Sequence, residues 1–297
     1  MKVSVAMATY NGAKYLRKQL DSVLNQTLAP DEVIVTDDNS TDGTINILKE
    51  YQEQGSLRFV VNVNQLGVAK NFQKAVSMTK PGNFVALCDQ DDEWIPEKLE
   101  QSAQRLKAIN DNTVPCMVYS DLIFVDEYDT VISPSFRDLL GHNKYHHNLE
   151  TLLRANFVNG CTVLMNSQAK AEFLKMPDGV RSHDEWLALA VYSFGKGEYL
   201  RNSMVRYKRH DANFSISVND DLPNKYYANY VSLLKALRGK DDFLTEQIGA
   251  VRQFYELNDN RLTEENKRIF SRFLKLSNRS YLAKKLNYML IVRRNKF

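Results

Sequence analysis

Apolar residues in this chain form short runs separated by stretches with helical spacing. Val3-Ser4-Val5-Ala6-Met7-Ala8 is apolar on nearly both faces and reads as a buried strand. Asn11 can then cap a helix whose apolar stripe is Leu16, Leu20, Val23 and Leu24. Glu32-Val33-Ile34-Val35-Thr36 is a second buried strand, ending in the turn and cap cluster Asp37 to Gly43. A helix follows with Ile45, Leu48 and Tyr51 on one side. Phe59-Val60-Val61 is a third strand; Gly67 precedes a helix carrying Phe72, Ala75 and Val76; Phe84 to Cys88 is a fourth strand. Strands alternating with helices of this length predict βαβ units and a mostly parallel sheet.

Past residue 115 the pattern is mixed. Cys116 to Tyr119 and Leu122 to Val125 read as strands around Ser120-Asp121, and Gly160 to Met165 as another. Asp184 to Phe194 reads as a helix burying Leu187, Ala188, Val191 and Phe194, and Val205 to His210 as a closing strand. From Lys225 onward only helical patterns remain, about four of them by apolar spacing. The segment 218–223 is the expected boundary.

Polar clusters sharpen this picture. Right-handed crossovers place the turns after strands one, two and four on one edge of the sheet, where open α/β folds bind ligands. Those turns are Thr9-Tyr10-Asn11, Asp37-Asp38-Asn39 and Asp89-Gln90-Asp91-Asp92-Glu93-Trp94. The last carries four carboxylates. Aspartates in such spacing suit Mg²⁺ or Mn²⁺, which usually arrive with a phosphate. The plain alternative is an acidic turn capping the helix that begins at Pro96.

Composition is that of an ordinary globular protein, with no apolar run near transmembrane length and no secretory signal. Cys88, Cys116 and Cys161 show no metal spacing and read as buried thiols in a reducing, cytoplasmic compartment. The net charge of +3 hides an asymmetry: Pro223 to Phe297 holds 16 Lys/Arg against 7 Asp/Glu, the remainder 23 against 29.

Three segments, Val5 to Gly12, Val33 to Thr44 and Leu87 to Pro96, resemble in order and spacing the family 2 glycosyltransferases of GT-A fold. Ser182-His183-Asp184-Glu185-Trp186-Leu187 and Arg206 to Asn213 resemble a branch of bacterial rhamnosyltransferases of surface polysaccharide synthesis. The resemblance covers roughly Met1 to Ser217. It implies a GT-A catalytic domain over 1–217 with a basic helical extension over 223–297, and an inverting, metal-dependent transfer. The donor would be a dTDP- or UDP-linked sugar, plausibly dTDP-rhamnose, and the acceptor a polysaccharide or lipid-linked glycan.

Residue by residue, the resemblance assigns Asp38 to the donor base, whose imide N–H a carboxylate accepts, with Ala8, Thr9 and Tyr10 packing beside it. Asp37 reads as a second such carboxylate or as a turn cap. Asp91 would contact the metal directly, while Asp89 would meet the metal, its waters or the ribose. Asp92 and Glu93 would support them or cap the next helix. Lys70 reads as a phosphate partner or as a solvated helix lysine. Asp184 matches the catalytic base, which in a one-step inversion takes the acceptor's proton. His210 would complete the metal site, and Arg209 beside it could serve the diphosphate. His183 reads as a neighbour of the base or a surface residue. Trp186, Trp94 and Gly160 read as acceptor-site residues, against the dull alternative of core packing for the tryptophans.

The basic tail has two readings of equal weight: helices lying on anionic lipid, or helices packed on protein with their bases solvated. Nucleic acid is disfavoured, because the bases are spread over several helices without a reading motif. The oligomeric state stays open. A nucleotidylyltransferase would need a Gly-rich basic loop after strand one, which Thr9-Tyr10-Asn11-Gly12 is not. A non-catalytic nucleotide-sugar-binding subunit is the other alternative.

Overall fold

In the computed structural model, which describes residues 2–208 and 244–296, the sheet is built outward from β1 (Val3–Thr9). It pairs in parallel with β2 (Glu32–Asp37) on one side and with β4 (Phe84–Cys88) on the other. Then β3 (Arg58–Val61) extends β2, also in parallel. Helices α1 (Ala13–Leu24), α2 (Thr44–Glu53) and α3 (Val68–Ser77) supply the crossovers. Val5, Ala6 and Met7 are fully buried, as are Leu16, Leu20 and Val23 of the α1 stripe. On α2 the inward position is Ile47, with Leu48 and Tyr51, in place of the expected Ile45.

Beyond β4 the sheet is mixed, in the order β3-β2-β1-β4-β8-β6-β9-β5. β8 (Leu164–Met165) runs antiparallel to both β4 and β6 (Cys116–Val125), and β9 (Lys196–Lys208) runs parallel to β6. β5 (Glu93–Trp94) and β7 (Val131–Ser133) add as short antiparallel pieces on β9 and β6. Helix α4 (Lys98–Ile109) precedes β6; α5 (Phe136–Leu140), α6 (Leu149–Leu152), α7 (Ser167–Leu174) and α8 (His183–Phe194) follow it.

Four expectations change. Ser120-Asp121 does not break the strand; β6 runs through it with register shifts there, because buried Asp121 accepts the N–H groups of Leu122 and Arg137. Gly160 to Met165 is a 3₁₀ turn (Gly160–Thr162) followed by only two strand residues. β9 begins at Lys196, nine residues ahead of the expected Val205. Its first half is polar because β5 pairs with it only at Val205 and Arg206. The acidic segment itself joins the sheet through β5, and α4 has no side-chain cap, so the acids do not cap that helix. All three cysteines are buried free thiols.

The chain forms two compact units, Met1–Gly141 with Phe157–Lys208, and His142–Asn156 with Arg209–Phe297. In the second, helices Thr245–Asn258, Glu264–Leu274 and Tyr281–Arg294 gather around α6. Phe254 stacks on Phe270 at 5.9 Å, and Arg272 pairs with Glu150 at 3.0 Å. The boundary expected at 218–223 and the earliest of the expected tail helices lie outside the described residues.

The turn from α8 into β9 depends on close backbone approach. A Cβ at Gly195 would lie 1.8 Å from the Pro115 carbonyl oxygen, which accepts the Lys196 N–H at 2.9 Å. Gly195→Ala should therefore destabilise the protein by about 1–3 kcal/mol through overpacking, read as a lowered denaturation midpoint. An unchanged midpoint would mean that this junction relaxes freely.

Candidate active site

The loops after β1 and β2 are clasped together by side chains. Asp37 is fully buried and accepts from Thr9 Oγ1 (2.7 Å), Ser40 Oγ (2.6 Å) and the Ser40 N–H (2.8 Å), as a turn cap does. Asn11, at φ +48°, does not cap α1. Its Oδ1 accepts the Thr41 N–H at 2.9 Å. The N–H groups leading into α1 go instead to the opposite loop, from Asn11 to Ser40 Oγ, from Gly12 to Thr44 Oγ1 and from Ala13 to Asp42 Oδ2.

Asp38 lies at the centre of this clasp, 5% exposed. Its carboxylate accepts from the Asn62 amide (2.8 Å) and from the backbone N–H groups of Leu66 (2.7 Å) and Gly67 (2.9 Å). It therefore organises the 62–67 loop, with one of its roughly four acceptor directions left over. Tyr10 is 45% exposed beside it, Ala8 is half-buried and Thr9 is buried.

Gln90, which the sequence reading passed over, docks on this loop. Its Oε1 accepts the Tyr10 N–H at 2.8 Å and its Nε2 donates to the Tyr10 carbonyl at 2.9 Å. This two-point pair joins the acidic segment to the end of β1. It works because residue 12 is glycine: a Cβ there would lie 2.1 Å from Gln90 Oε1. The pairing of Gly12 with an amide inside an otherwise acidic run was the available signal.

The acids divide into two settings. Asp89, Asp92 and Cys161 bring ligand atoms within 4.8 Å of one another. Neither oxygen of buried Asp92 has a hydrogen-bond partner among the described residues. Burial, with Asp91 and Asp89 nearby, pushes the Asp92 pKa well up. Half-buried Asp89 is pushed up to about 8 by burial, then by Asp91 and Asp184. This surplus of negative charge fits a hard cation held by the two aspartates. Cys161 fits it poorly, since burial raises its pKa and keeps it a thiol. Lys98 lies in the same buried region, with Nζ 3.6 Å from the Trp94 ring centroid, and burial lowers its pKa to about 8. Asp92 also reaches a second setting, a cavity of ≈ 200 Å³ that it lines with Asp91 and Glu93, the bases Lys14, Lys18, Arg206 and Lys208, and the acids Glu127 and Asp129. There Lys18 bridges Glu93 and Asp129, each at 3.0 Å.

Asp184 opens α8. Its oxygens accept from Ser182 Oγ and from the Gly160 N–H (3.2 Å). Gly160, which donates to Asp184, is followed by Cys161, which clusters with Asp89 and Asp92, so the Gly160–Cys161 turn links the two sequence motifs, and the charge of Asp184 bears on Asp89. His183 is no surface residue: it is buried and stacked on Phe72 at 4.2 Å, and burial lowers its pKa against the pull of Asp184. A Cβ on Gly160 would lie 2.7 Å from His183 Nε2, so this glycine admits the histidine ring.

The expected acceptor residues Trp186 and Trp94 are buried, 5% and 2% exposed, and Trp186 Nε1 donates to the Glu172 carbonyl at 3.0 Å. Lys70 is engaged with Asp178 (2.6 Å) and Gln73 (2.8 Å). His210 and Arg209 lie outside the described residues.

Comparison with known proteins gives this geometry a context. The family model described as Glycosyl transferase family 2 matches residues 4–167. The chain is 26% identical over 265 residues to the dTDP-rhamnosyl transferase RfbG of Shigella flexneri, covering 82% of this chain and 88% of that one. Among solved structures, S. aureus TarS 1–349 in complex with UDP-GlcNAc superposes with a TM-score of 0.62 at 20% identity, covering 98% of this chain and 79% of that one. The mannosyltransferase PcManGT of Pyrobaculum calidifontis, in complex with GDP-Man and Mn²⁺, gives 0.60 at 18%, covering 99% and 74%. These likenesses establish the GT-A fold with its helical C-terminal region.

The raised carboxylate pKa values fix a pH dependence. An unfolded aspartate titrates near pH ~4, whereas Asp89 in the folded protein titrates at about 8. Between those values the folded state holds more protons, so this stabilising contribution is complete below the unfolded pKa and is lost as pH rises through the folded one. Asp92 shifts in the same direction. Without metal, Asp92→Asn should therefore gain in melting temperature over wild type as pH rises from about 5 to 8. Mn²⁺ should stabilise wild type and not the variant. A pH-independent difference would refute the surplus-charge account.

Proposed function

The chain belongs to glycosyl transferase family 2, and from that premise we propose that it moves a sugar from a nucleotide-sugar donor to a polysaccharide or lipid-linked glycan. The transfer uses Mg²⁺ or Mn²⁺ and inverts the anomeric carbon. The observation that carries this reading is the meeting of Asp184 with the Asp89-Asp91 motif across distant parts of the chain. Likeness to a dTDP-rhamnosyl transferase supports dTDP-rhamnose as the donor.

In this mechanism Asp184 takes the proton of the acceptor hydroxyl as that oxygen bonds to the anomeric carbon and the bond to the diphosphate breaks on the opposite face. Ser182 and the Gly160 N–H hold its two oxygens in orientation before substrate arrives. Asp89 and Asp92 would hold the cation, with Asp91 beside them, and the cation would offset charge on the leaving diphosphate. Asp38 offers its spare acceptor direction to the imide N–H of thymine or uracil, and exposed Tyr10 offers a face for stacking. Lys70 reaches a phosphate by exchanging Asp178, which is 96% exposed and holds it weakly. Trp94 and Trp186 pack the walls behind the site.

Two variants separate the roles. Asp184→Asn should lower transfer by about 10²–10⁴-fold while metal-dependent binding of dTDP-rhamnose, followed by thermal shift, persists. Asp89→Ala should lose both. Near-normal turnover by Asp184→Asn would remove it as the base. A metal-dependent shift with UDP-hexoses and none with dTDP-rhamnose would reassign the donor.

A further inference from the structure

Helix Tyr281–Arg294 carries an exposed apolar stripe opposite an inward side that is part apolar and part polar. Its exposed positions are Leu282 (65%), Leu286 (53%), Met289 (51%) and Leu290 (55%), at i, i+4, i+7 and i+8, which is one stripe of a helix. Its inward side carries Tyr281, Lys284 and Ile291, all buried, and Asn287, whose Oδ1 accepts from Arg154 Nε (3.1 Å) and a second guanidinium nitrogen (2.9 Å). At its end the Asn295 carbonyl accepts the His146 N–H and its Oδ1 accepts from Asn148 Nδ2, both at 2.7 Å. These polar bonds, with the burial of Tyr281 and Ile291, fix the helix's rotation, so the leucines face outward.

The charge around the stripe selects what covers it. Residues 266–297 contain ten Lys/Arg and no Asp or Glu. Arg293 continues the stripe by one more turn, with Arg294 beside it. A second copy of the same face would bring cations against cations, which costs affinity. An anionic bilayer attracts the exposed ones, Arg293 and Arg294 among them, and accepts the leucines into its interfacial zone. The helix has 14 residues, about 21 Å long, which is too short to span a bilayer. No helix among the described residues is long and apolar enough to cross a membrane. We propose that this helix lies in the plane of an anionic lipid surface, with Leu282, Leu286, Met289 and Leu290 inserted and Arg293 and Arg294 on the headgroups.

The test is sedimentation of the full chain with phosphatidylcholine vesicles with and without phosphatidylglycerol. Wild type should bind the phosphatidylglycerol vesicles at least about tenfold more strongly than the neutral ones, because the juxtaposed basic residues add to the apolar term. Leu286→Gln with Leu290→Gln should abolish sedimentation. Arg293→Gln with Arg294→Gln should weaken it and flatten its salt dependence. All four positions are exposed, so the melting temperature of both variants should match wild type. No binding by wild type, or unchanged binding by the leucine variant, overturns the proposal. A dimer seen by light scattering that the leucine variant dissolves assigns the stripe to a second copy and overturns it as well. The readout is lipid binding, so it stands or falls independently of the transfer reaction.

Discussion

The site is governed by an excess of negative charge in a place that water reaches poorly. Asp89 and Asp92 sit at and just past the end of β4, close to Cys161, and the protein supplies Asp92 with no hydrogen-bond donor among the described residues. Burying a carboxylate unpaired is costly, and such a group either takes up a proton or recruits a cation. A fold selected for stability alone would not keep these residues. A bound cation would supply the missing positive charge, and the same cost would then favour the cation-loaded site.

The surroundings are arranged to withstand that strain. Asp38 and Asp37 each accept three hydrogen bonds and use them to tie the loops after β1, β2 and β3 into one rim. Gln90 joins the acidic segment to that rim through the Tyr10 backbone, and β5 anchors the segment's far end to β9. The acidic motif is thus held at both ends, which limits how far its carboxylates can move apart to relieve their repulsion. Preorganisation of this kind is what makes a charged site effective, because no reorganisation is needed when the reacting charge appears.

Legibility in the sequence followed burial. β1, β2 and β4 were readable because a strand covered on both faces must be a continuous apolar run, and right-handed crossovers then put their ends together. The polar half of β9 and the two residues of β5 carried no such run, so pairing that depends on tertiary contact stayed hidden. Asp184 and its neighbour Ser182 were found through their motif, yet nothing local to them indicates Gly160 as the second holder. Asp92 was read as a support or a cap, since burial of an acid between two others is invisible until the chain is folded. For the tryptophans the sequence left a sugar platform and core packing both open, and only the fold shows that both rings are buried.

The tail helix shows the opposite relation between sequence and structure. Its composition alone left its apolar side undirected, because leucines, tyrosines and lysines occur on several faces. What orients it is a small set of polar bonds, Arg154 to Asn287 and the Asn148 and His146 contacts with Asn295. Tyr281 and Ile291 supply the apolar burial, and the polar bonds hold Asn287 and Asn295 in place, which leaves the leucine stripe facing out. An arrangement that leaves apolar area in water is stable only if those bonds are well satisfied or if the area is covered elsewhere, and the absence of acids from 266 to 297 makes an anionic surface the cover that fits.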